Sequence, residues 1–218
     1  MGRGVTPYHE EAGIVIFHGD CREFLPTLPK VDLVLTDPPY GINAVQRRQP
    51  AATHYEAIVG DDGELDLAHL FSIDADKVIF GANCFPAQLP HRGRWLVWDN
   101  RVDPACDAML GSPFELAWTS RASGFDWIAR IQHGGVVNAD QRYHMPRWHP
   151  TQKPISLMSS CLLKFPDAKL ILDPYCGSGT TLVAAKNLGR RAIGIEIEER
   201  YCEIAANRLR QGVLWGAE

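Results

Sequence analysis

The sequence predicts an α/β protein in which a mostly parallel, twisted sheet carries helices on both faces. Short apolar runs of strand length alternate along the chain with segments of helical periodicity. Several of these runs end in an acidic residue or in glycine, and the carboxyl ends of parallel strands meet at one edge of a sheet. Such alternation is typical of folds that layer helices on both faces of a parallel sheet.

The strands are predicted from apolar, β-branched runs, and the helices from apolar residues at helical spacing. Strands are expected at residues 14–20, 31–36, 77–82, 94–100, 114–119, 169–173 and 191–196. Helices are expected at residues 21–28, 65–73, 155–165, 180–188 and 199–209. Pro154 precedes the third helix and Gly189 ends the fourth. Residues 1–12 are polar and expected to be loose, whereas residues 41–62 and 121–150 lose both periodicities, as long functional loops do.

Length and composition indicate one globular domain over residues 1–218. A chain of 218 residues with 45% hydrophobic and 22% charged residues can bury one sizeable core. The formal net charge of −4 does not indicate a polyanion as partner. Any contact with nucleic acid must therefore use a local basic surface.

Cysteine usage and hydropathy indicate a protein of the reducing cytoplasm. No two of the six cysteines form a C-x-x-C pair, which argues against a disulfide framework and against a zinc site. No apolar run reaches membrane-spanning length, and the N-terminus lacks the apolar region of a signal peptide. We therefore expect no metal and no membrane as partner.

The first candidate site is the sequence Asp37-Pro38-Pro39-Tyr40, which follows an apolar run. Asp37 is thereby placed at the carboxyl edge of the sheet, where open α/β folds bind their ligands. The prolines lack N–H groups and stiffen the backbone, which leaves an acceptor-rich corner beside the ring of Tyr40. This corner suits a planar group with an amino donor, such as a nucleobase. The structural alternative is a turn in which the aspartate caps the backbone and the tyrosine packs.

The second candidate site is a strand–helix–strand unit that runs from Asp173 to Glu196. Its glycine-rich turn allows a ligand to approach the backbone, and the helix that begins at Thr180 offers free N–H groups. Glu196 ends the second strand and is placed to accept the hydroxyls of a ribose. A dinucleotide fingerprint requires glycine where Leu182 stands, and no phosphate-loop sequence is present. The unit therefore fits S-adenosylmethionine better than NAD, which argues against a dehydrogenase.

Three motifs in order carry a resemblance to a known family. Asp37-Pro38-Pro39-Tyr40 comes first, then His149-Pro150-Thr151-Gln152-Lys153-Pro154, and then Asp173-Pro174-Tyr175-Cys176-Gly177-Ser178-Gly179. This arrangement resembles the β-class DNA amino-methyltransferases, which modify adenine N6 or cytosine N4. The resemblance implies a Rossmann-like class I methyltransferase fold with a circularly permuted motif order. The family usually has phenylalanine at the position of Tyr175, a mild departure.

The resemblance also implies roles for individual residues. Catalysis is expected from Asp37, Pro38, Pro39 and Tyr40. S-adenosylmethionine is expected to contact Asp20, Cys21, Asp37, Thr151, Gln152, Lys153, Asp173, Tyr175, Cys176, Gly177, Ser178, Gly179, Thr180 and Glu196. Thr151, Gln152 and Lys153 would hold the methionine carboxylate, although Lys153 can also be explained as a surface lysine before a helix.

The expected reaction follows from the chemistry of a base amine, whose lone pair is conjugated with the ring. Asp37 and the Pro38 carbonyl would accept its N–H groups, and Tyr40 would stack on a base flipped out of the duplex. The Asp-Pro-Pro-Tyr form favours adenine N6, whereas Ser-Pro-Pro-Tyr is more usual for cytosine N4, which is the main alternative. Methylation of RNA or of protein glutamine is less favoured, because Asn-Pro-Pro-Tyr is its usual signature.

Double-stranded DNA is the expected partner, contacted by residues 41–62 and 121–150. The arginines expected to grip it are Arg47, Arg48, Arg121, Arg130, Arg142 and Arg147. Because the chain leaves little room for a recognition domain, a homodimer that shares this work is an open possibility. A catalytically silent DNA-binding partner subunit is the alternative from another class. The recognition sequence and the biological setting (restriction-modification, phage protection or regulation) stay open.

Overall fold

The computed structural model describes residues 6–41, 59–61, 63, 66–100, 114–121, 126–130 and 152–211. Its strands are β1 (His9–Glu11), β2 (Ile14–His18), β3 (Leu33–Thr36), β4 (Asp76–Phe80), β5 (Arg94–Asp99), β6 (Phe114–Thr119), β7 (Trp127–Arg130), β8 (Leu170–Asp173) and β9 (Arg191–Glu196). Its α-helices are α1 (Cys21–Phe24), α2 (Ala68–Phe71), α3 (Ile155–Leu163), α4 (Thr180–Asn187) and α5 (Glu199–Arg210). Short 3₁₀ helices span Leu25–Thr27, Ala82–Cys84 and Pro86–Gln88.

Within these ranges the strands form one sheet in the order β1-β2-β9-β8-β3-β4-β6-β5-β7. The five adjacent strands β2, β9, β8, β3 and β4 run parallel to one another, and β7 is parallel to β5. The pairs β1–β2, β4–β6 and β5–β6 are antiparallel. The prediction of a mostly parallel sheet is therefore confirmed.

Helices cover both faces of the sheet. Neighbouring residues of a strand point to opposite sides, so their core partners show what lies on each face. Leu33 on β3 belongs to a core that includes Leu157 of α3 and Leu182 of α4. Val34, the next residue, belongs to a separate core against which Phe24 of α1 packs. All of β3 is buried, as expected for a strand covered on both faces.

Two strands and two helix ends differ from the sequence-based prediction. β1 lies in a segment expected to be loose, and β7 lies in residues 121–150, which showed no periodicity. Both strands are too short to display an alternation of their own, and pairing with β2 and β5 defines them. α1 ends at Phe24 because Pro26 lacks an N–H donor, and a 3₁₀ turn follows. The helix expected at residues 65–73 is α-helical only from Ala68 to Phe71.

No helix in the described part of the chain has the length and apolar character needed to cross a membrane.

We expect Leu33→Ala to lower the free energy of unfolding by about 2–5 kcal/mol, since it leaves a cavity between two packed layers. The Leu33 side chain is 0% exposed. Leu163→Ala makes the same chemical change at a side chain that is 62% exposed and should cost less than about 0.5 kcal/mol. Urea unfolding of both variants measures the difference. Equal losses would contradict the placement of β3 at the centre of the core.

Candidate active site

Two strand ends meet at the head of a cleft on the carboxyl edge of the sheet. β3 and β8 are parallel neighbours, with Leu33 opposite Ile171, so Asp37 and Asp173 follow at adjacent positions. The Thr36 hydroxyl donates a buried hydrogen bond of 2.8 Å to Oδ1 of Asp173. The two predicted sites, far apart in sequence, therefore form one site.

The cleft has an open volume of about 790 Å³ and is lined by most of the predicted site residues. The predicted residues that line it are Asp37, Pro38, Pro39, Tyr40, Gln152, Lys153, Asp173, Tyr175, Cys176, Gly177, Ser178, Thr180 and Glu196. Asp61, Met158, Thr181 and Glu198 also line it and were not predicted. The lining contains five acids and one lysine, which favours a cationic ligand.

Both carboxylate oxygens of Asp37 accept hydrogen bonds from side chains. The Tyr40 hydroxyl donates to Oδ1, and the Lys153 ammonium donates to Oδ2 at 2.5 Å. Because each carboxylate oxygen has two lone pairs, capacity to accept from a substrate amine is retained. Burial raises the pKa of Asp37, whereas the neighbouring Lys153 lowers it.

Lys153 is a buried cation and not a surface lysine. Its side chain is 5% exposed, and besides Asp37 its Nζ lies 3.1 Å from Oε2 of Glu115. Burial lowers the pKa of Lys153, but the charges of Asp37 and Glu115 outweigh this effect and raise it. The alternative explanation of Lys153 as a solvated residue before α3 is therefore wrong. Glu115 was not predicted, because its strand sequence gives no sign of a polar partner.

Two residues outside the motif hold Tyr40 in place. Oδ1 of Asp61 accepts a hydrogen bond of 3.0 Å from the Tyr40 backbone N–H. Gly81 has a φ of +69°, and a Cβ at that position would lie 1.9 Å from Cε1 of Tyr40. The ring of Tyr40 thus packs directly on the backbone of Gly81. From the sequence, Gly81 was predicted only as part of the strand at residues 77–82, with no role in the site.

The glycine-rich turn after β8 is bound to the end of β9. The backbone N–H of Gly177 donates to Oε2 of Glu196 at 2.9 Å, and that of Glu198 donates to Oε1 at 2.8 Å. Oδ1 of Asp173 also accepts from the Tyr175 backbone N–H at 3.2 Å. The acids that end the two strands therefore set the shape of the turn as well as its charge.

A second buried cation, Arg208 of α5, supports the start of α4. Its Nη1 donates to the Ser178 carbonyl at 2.6 Å, to the Ser178 hydroxyl at 3.0 Å and to the Thr180 hydroxyl at 3.2 Å. The Ser178 hydroxyl in turn donates to Oε1 of Gln152 at 3.2 Å. Arg208 was not predicted, and the only signal for it is a basic residue within the apolar stripe of α5.

Burial raises the pKa of the acids at the two strand ends. The pKa of Asp173 is raised to about 6, against hydrogen bonds from Thr181 and Thr36 that lower it. The pKa of Glu196 is raised to about 7, against hydrogen bonds from the backbone of Glu198 and Gly177. Both acids are therefore held in an environment that disfavours their charge, and a cationic ligand would relieve this cost.

Asp20 and Cys21 lie beside the cleft but are not among its lining residues. Asp20 caps α1 by accepting from the Arg22 backbone N–H at 2.9 Å, and it also pairs with the Arg22 side chain. Nε2 of His69 lies 2.8 Å from the Tyr175 hydroxyl and 3.7 Å from the Cys21 sulfur. The hydroxyl that distinguishes Tyr175 from phenylalanine thus has a partner on α2. Gly179 is also not among the lining residues, and all the predicted cofactor contacts, those of Asp20, Cys21 and Gly179 included, remain predictions.

The described arginines of the predicted DNA surface lie at opposite edges of the sheet. Arg130 ends β7 on the cleft side and is exposed. Arg121 follows the end of antiparallel β6, where it donates to the Lys164 carbonyl at 2.7 Å and lies over the Phe165 ring. Its position at the amino ends of the parallel strands does not support the predicted DNA contact. Outside the described residues lie Thr151 and the predicted DNA contacts Arg47, Arg48, Arg142 and Arg147.

Over the ranges that the structure describes, no group of three or more His, Cys, Asp or Glu side chains is placed to hold a metal ion.

Comparison with known proteins gives one family match and related folds. Residues 112–207 match the family described as DNA methylase. YubD of Escherichia coli (strain K12), a protein named as a methylase, is 30% identical over 222 residues, covering 88% of this chain and 88% of YubD.

Solved structures show the same fold at low sequence identity. The structure of the M1.HpyAVI–SAM complex aligns with 90% of this chain over 98% of its own chain, with 22% identity and a TM-score of 0.53. The structure of the PvuII DNA methyltransferase, named as cytosine-N4-specific, aligns with 97% of this chain over 92% of its own length. The identity is 16% and the TM-score is 0.59.

The fold and the cleft define an S-adenosylmethionine-dependent methyltransferase of the Rossmann-like class I fold. Within that class, the chain belongs to the DNA methylase family of amino-methyltransferases, which modify adenine N6 or cytosine N4. The hydrogen-bond acceptors and the charge of the cleft lining fit this cofactor. Glu196 keeps free lone pairs for ribose hydroxyls, and the acid-rich lining complements a sulfonium.

We expect Gly81→Ala to impair methylation far more than Gly189→Ala does. Both glycines have a positive φ, so either alanine costs about 1–2 kcal/mol in backbone strain. Only at Gly81 does the new Cβ also meet a ring, whereas a Cβ at Gly189 meets nothing within 4 Å. Thermal unfolding of both variants measures the backbone strain that they share, and their methylation rates show the additional effect of displacing Tyr40. Equal methylation by the two variants would contradict the role given to Gly81.

We expect Glu196 to make the stability of the ligand-free protein fall as pH rises. Its folded pKa of about 7 exceeds the unfolded value of 4.5, so the folded state binds more protons between these values. The loss develops between about pH 4.5 and 7 and is on the order of 1–3 kcal/mol. Urea unfolding at pH 5 and pH 8 should show it in the wild type, and the difference should shrink in Glu196→Gln. An unchanged pH dependence in the variant would disprove the assignment.

Proposed function

We propose that this DNA methylase transfers a methyl group to the N6 amine of an adenine extruded from double-stranded DNA. The observation that carries the proposal is the position of Asp37 at the head of the cleft, adjacent to Asp173 and hydrogen-bonded to Tyr40. The Asp-Pro-Pro-Tyr sequence supports adenine over cytosine, for which the family more often has serine at the first position.

The residues of the cleft address the weak nucleophilicity of a conjugated amine. Asp37 and the Pro38 carbonyl each accept one N–H, which turns the amine toward tetrahedral geometry as attack proceeds. Because these hydrogen bonds strengthen as charge develops on nitrogen, they favour the transition state over the bound substrate. S-adenosylmethionine, when bound, supplies the electrophilic methyl group.

Tyr40 provides the surface on which the extruded base stacks. Its ring is fixed on one side by Gly81, and its backbone by Asp61. A ring fixed in this way loses little conformational freedom when a base binds. Stacking on a side chain of this kind compensates part of the cost of removing a base from the duplex.

We further propose that the DNA duplex lies along the cleft edge of the sheet. Arg130 is exposed there at the end of β7, and its guanidinium suits a phosphate contact. Residues 41–62, which begin directly after Tyr40, remain a candidate recognition segment together with residues 121–150, of which Arg121 itself is not supported as a DNA contact.

The test is incubation with S-adenosyl-[methyl-³H]methionine and unmethylated double-stranded DNA, followed by digestion to nucleosides. Label in N6-methyl-2′-deoxyadenosine is the expected result. Label in N4-methyl-2′-deoxycytidine would replace the adenine assignment with the cytosine alternative. Labelled RNA or protein without labelled DNA would overturn the proposal, and so would cofactor binding with no transfer, as in a silent partner subunit.

We expect Asp37→Ala to lower the methylation rate at least about 100-fold while cofactor affinity changes little. The reason is that Asp37 grips the amine, whereas the turn after β8 and Glu196 provide the cofactor contacts. Single-turnover methylation and calorimetric titration with the cofactor measure the two effects.

Asp74→Ala is the matched control for this variant, since the Asp74 side chain is 92% exposed and pairs only with surface Lys30 at 2.6 Å among the contacts described. The control should methylate at the wild-type rate. Methyl transfer by Asp37→Ala at a similar rate would refute the catalytic assignment.

A further inference from the structure

The Lys153 ammonium lies between two carboxylates that come from different strands. Its Nζ is 2.5 Å from Oδ2 of Asp37, which follows β3, and 3.1 Å from Oε2 of Glu115 on β6. It also lies 3.3 Å from the Tyr40 hydroxyl. The ammonium donates hydrogen bonds to Asp37 and to the Tyr40 hydroxyl, and it pairs with Glu115 by charge at 3.1 Å.

We propose that Glu115 is a positioning residue for the methyl transfer: by competing for the Lys153 ammonium, it weakens the ion pair between Lys153 and Asp37, so that ionised Asp37 is a stronger acceptor for the substrate amine. The inference rests on the proposed role of Asp37 and extends it to a residue outside the recognised motifs. Glu115 does not line the cleft, so it acts through Lys153 and not on the base.

The charge balance of the cluster supports this role. Asp37, Glu115 and Lys153 together carry one net negative charge when all three are ionised. Without Glu115, Asp37 and Lys153 would form a neutral pair, and the ammonium would be directed wholly at the carboxylate that must accept the amine. A carboxylate neutralised in this way is a weaker acceptor.

The low solvent exposure of the cluster strengthens the competition between Asp37 and Glu115 for the Lys153 ammonium. The Lys153 and Asp37 side chains are 5% and 16% exposed, and Glu115 is 34% exposed. The ammonium lies 5.6 Å from the centre of the Phe80 ring and 5.7 Å from that of Tyr40. Charges interact more strongly in such a partly desolvated, aromatic environment than they do in water.

Titratable groups from several elements surround Asp37 and its partners. They are Lys153 before α3, Glu115 on β6, Tyr40 on the same loop, Asp61, Cys84 after β4 and Asp173 on β8. Burial and Glu115 raise the pKa of Asp37, and Lys153 and Tyr40 lower it. Removal of the Glu115 charge should therefore lower the pKa of Asp37.

The first experiment measures Asp37 without relying on catalysis. Carbon-13 NMR of protein labelled at aspartate carboxyls follows the titration of Asp37, which Asp37→Asn identifies. In Glu115→Gln the Asp37 midpoint should move to lower pH, whereas in Glu115→Asp it should move back toward the wild-type value. In Glu203→Gln, the same change at an exposed position on α5, it should not move. An unchanged midpoint in Glu115→Gln would overturn the proposal.

The second experiment measures methyl transfer under single-turnover conditions as a function of pH. Glu115→Gln should lower the plateau rate about tenfold, a fraction of the effect of a charge-assisted hydrogen bond. Its acid limb should move to lower pH, because transfer requires ionised Asp37. Glu115→Asp should recover much of the rate, and cofactor affinity should change less than about threefold.

The outcomes distinguish this inference from the proposed function. A wild type that labels no DNA base would defeat the proposed function, while a shifted Asp37 midpoint would still establish the coupling to Glu115. An active wild type with an equally active Glu115→Gln variant would overturn the inference alone. If Glu115→Gln does not fold, Glu115→Asp is compared with wild type instead: its shorter side chain lies farther from Lys153, so part of the midpoint shift and part of the rate loss should be seen, and the absence of both would overturn the inference.

Discussion

The parallel pairing of β3 with β8 is the constraint on which the active site depends. These strands lie more than 130 positions apart in sequence, yet Thr36 donates directly to Asp173 across their ends. The hydrogen bond is buried, so losing it would leave an unpaired polar group in the core. It therefore fixes the position of Asp37 relative to the glycine-rich turn after β8. In-line transfer between two ligands needs this kind of rigid relation.

The cleft combines several buried acids with cations that come from distant elements. Isolated charges at this depth would be strongly unfavourable, and Lys153 and Arg208 offset part of that cost through ion pairing and hydrogen bonds. The remaining excess is acidic, since the cleft lining holds five acids and one lysine, and burial raises the pKa of Asp173 and Glu196. By electrostatics alone, a cleft with this balance favours a cationic methyl donor over its neutral demethylated product.

The sequence predicted the sheet and the motif residues, because both are encoded locally. Apolar runs define the central strands, and the Asp-Pro-Pro-Tyr and glycine-rich sequences stand at their ends. Gly81 and Glu115 were not predictable in this way. The positive φ of Gly81 matters only because Tyr40 packs on it, and Glu115 matters only because Lys153 reaches it from another element. Such roles arise from tertiary packing and leave no periodic signal in a single sequence.

β6 runs antiparallel to β4 and β5, and this explains why Arg121 and Arg130, close in sequence, lie at opposite edges of the sheet. Glu115 lies near the start of β6 at the cleft edge, so Arg121, just past its end, lies at the opposite edge. β5 and β7 then run parallel to β4, which returns Arg130 to the cleft side. At about 4.8 Å per strand, β7 lies about 19 Å from β3 across the sheet. Under the proposed function, Arg130 is therefore suited to the DNA backbone beside an extruded base and not to the base itself, which assigns contact with the base to the residues around Asp37.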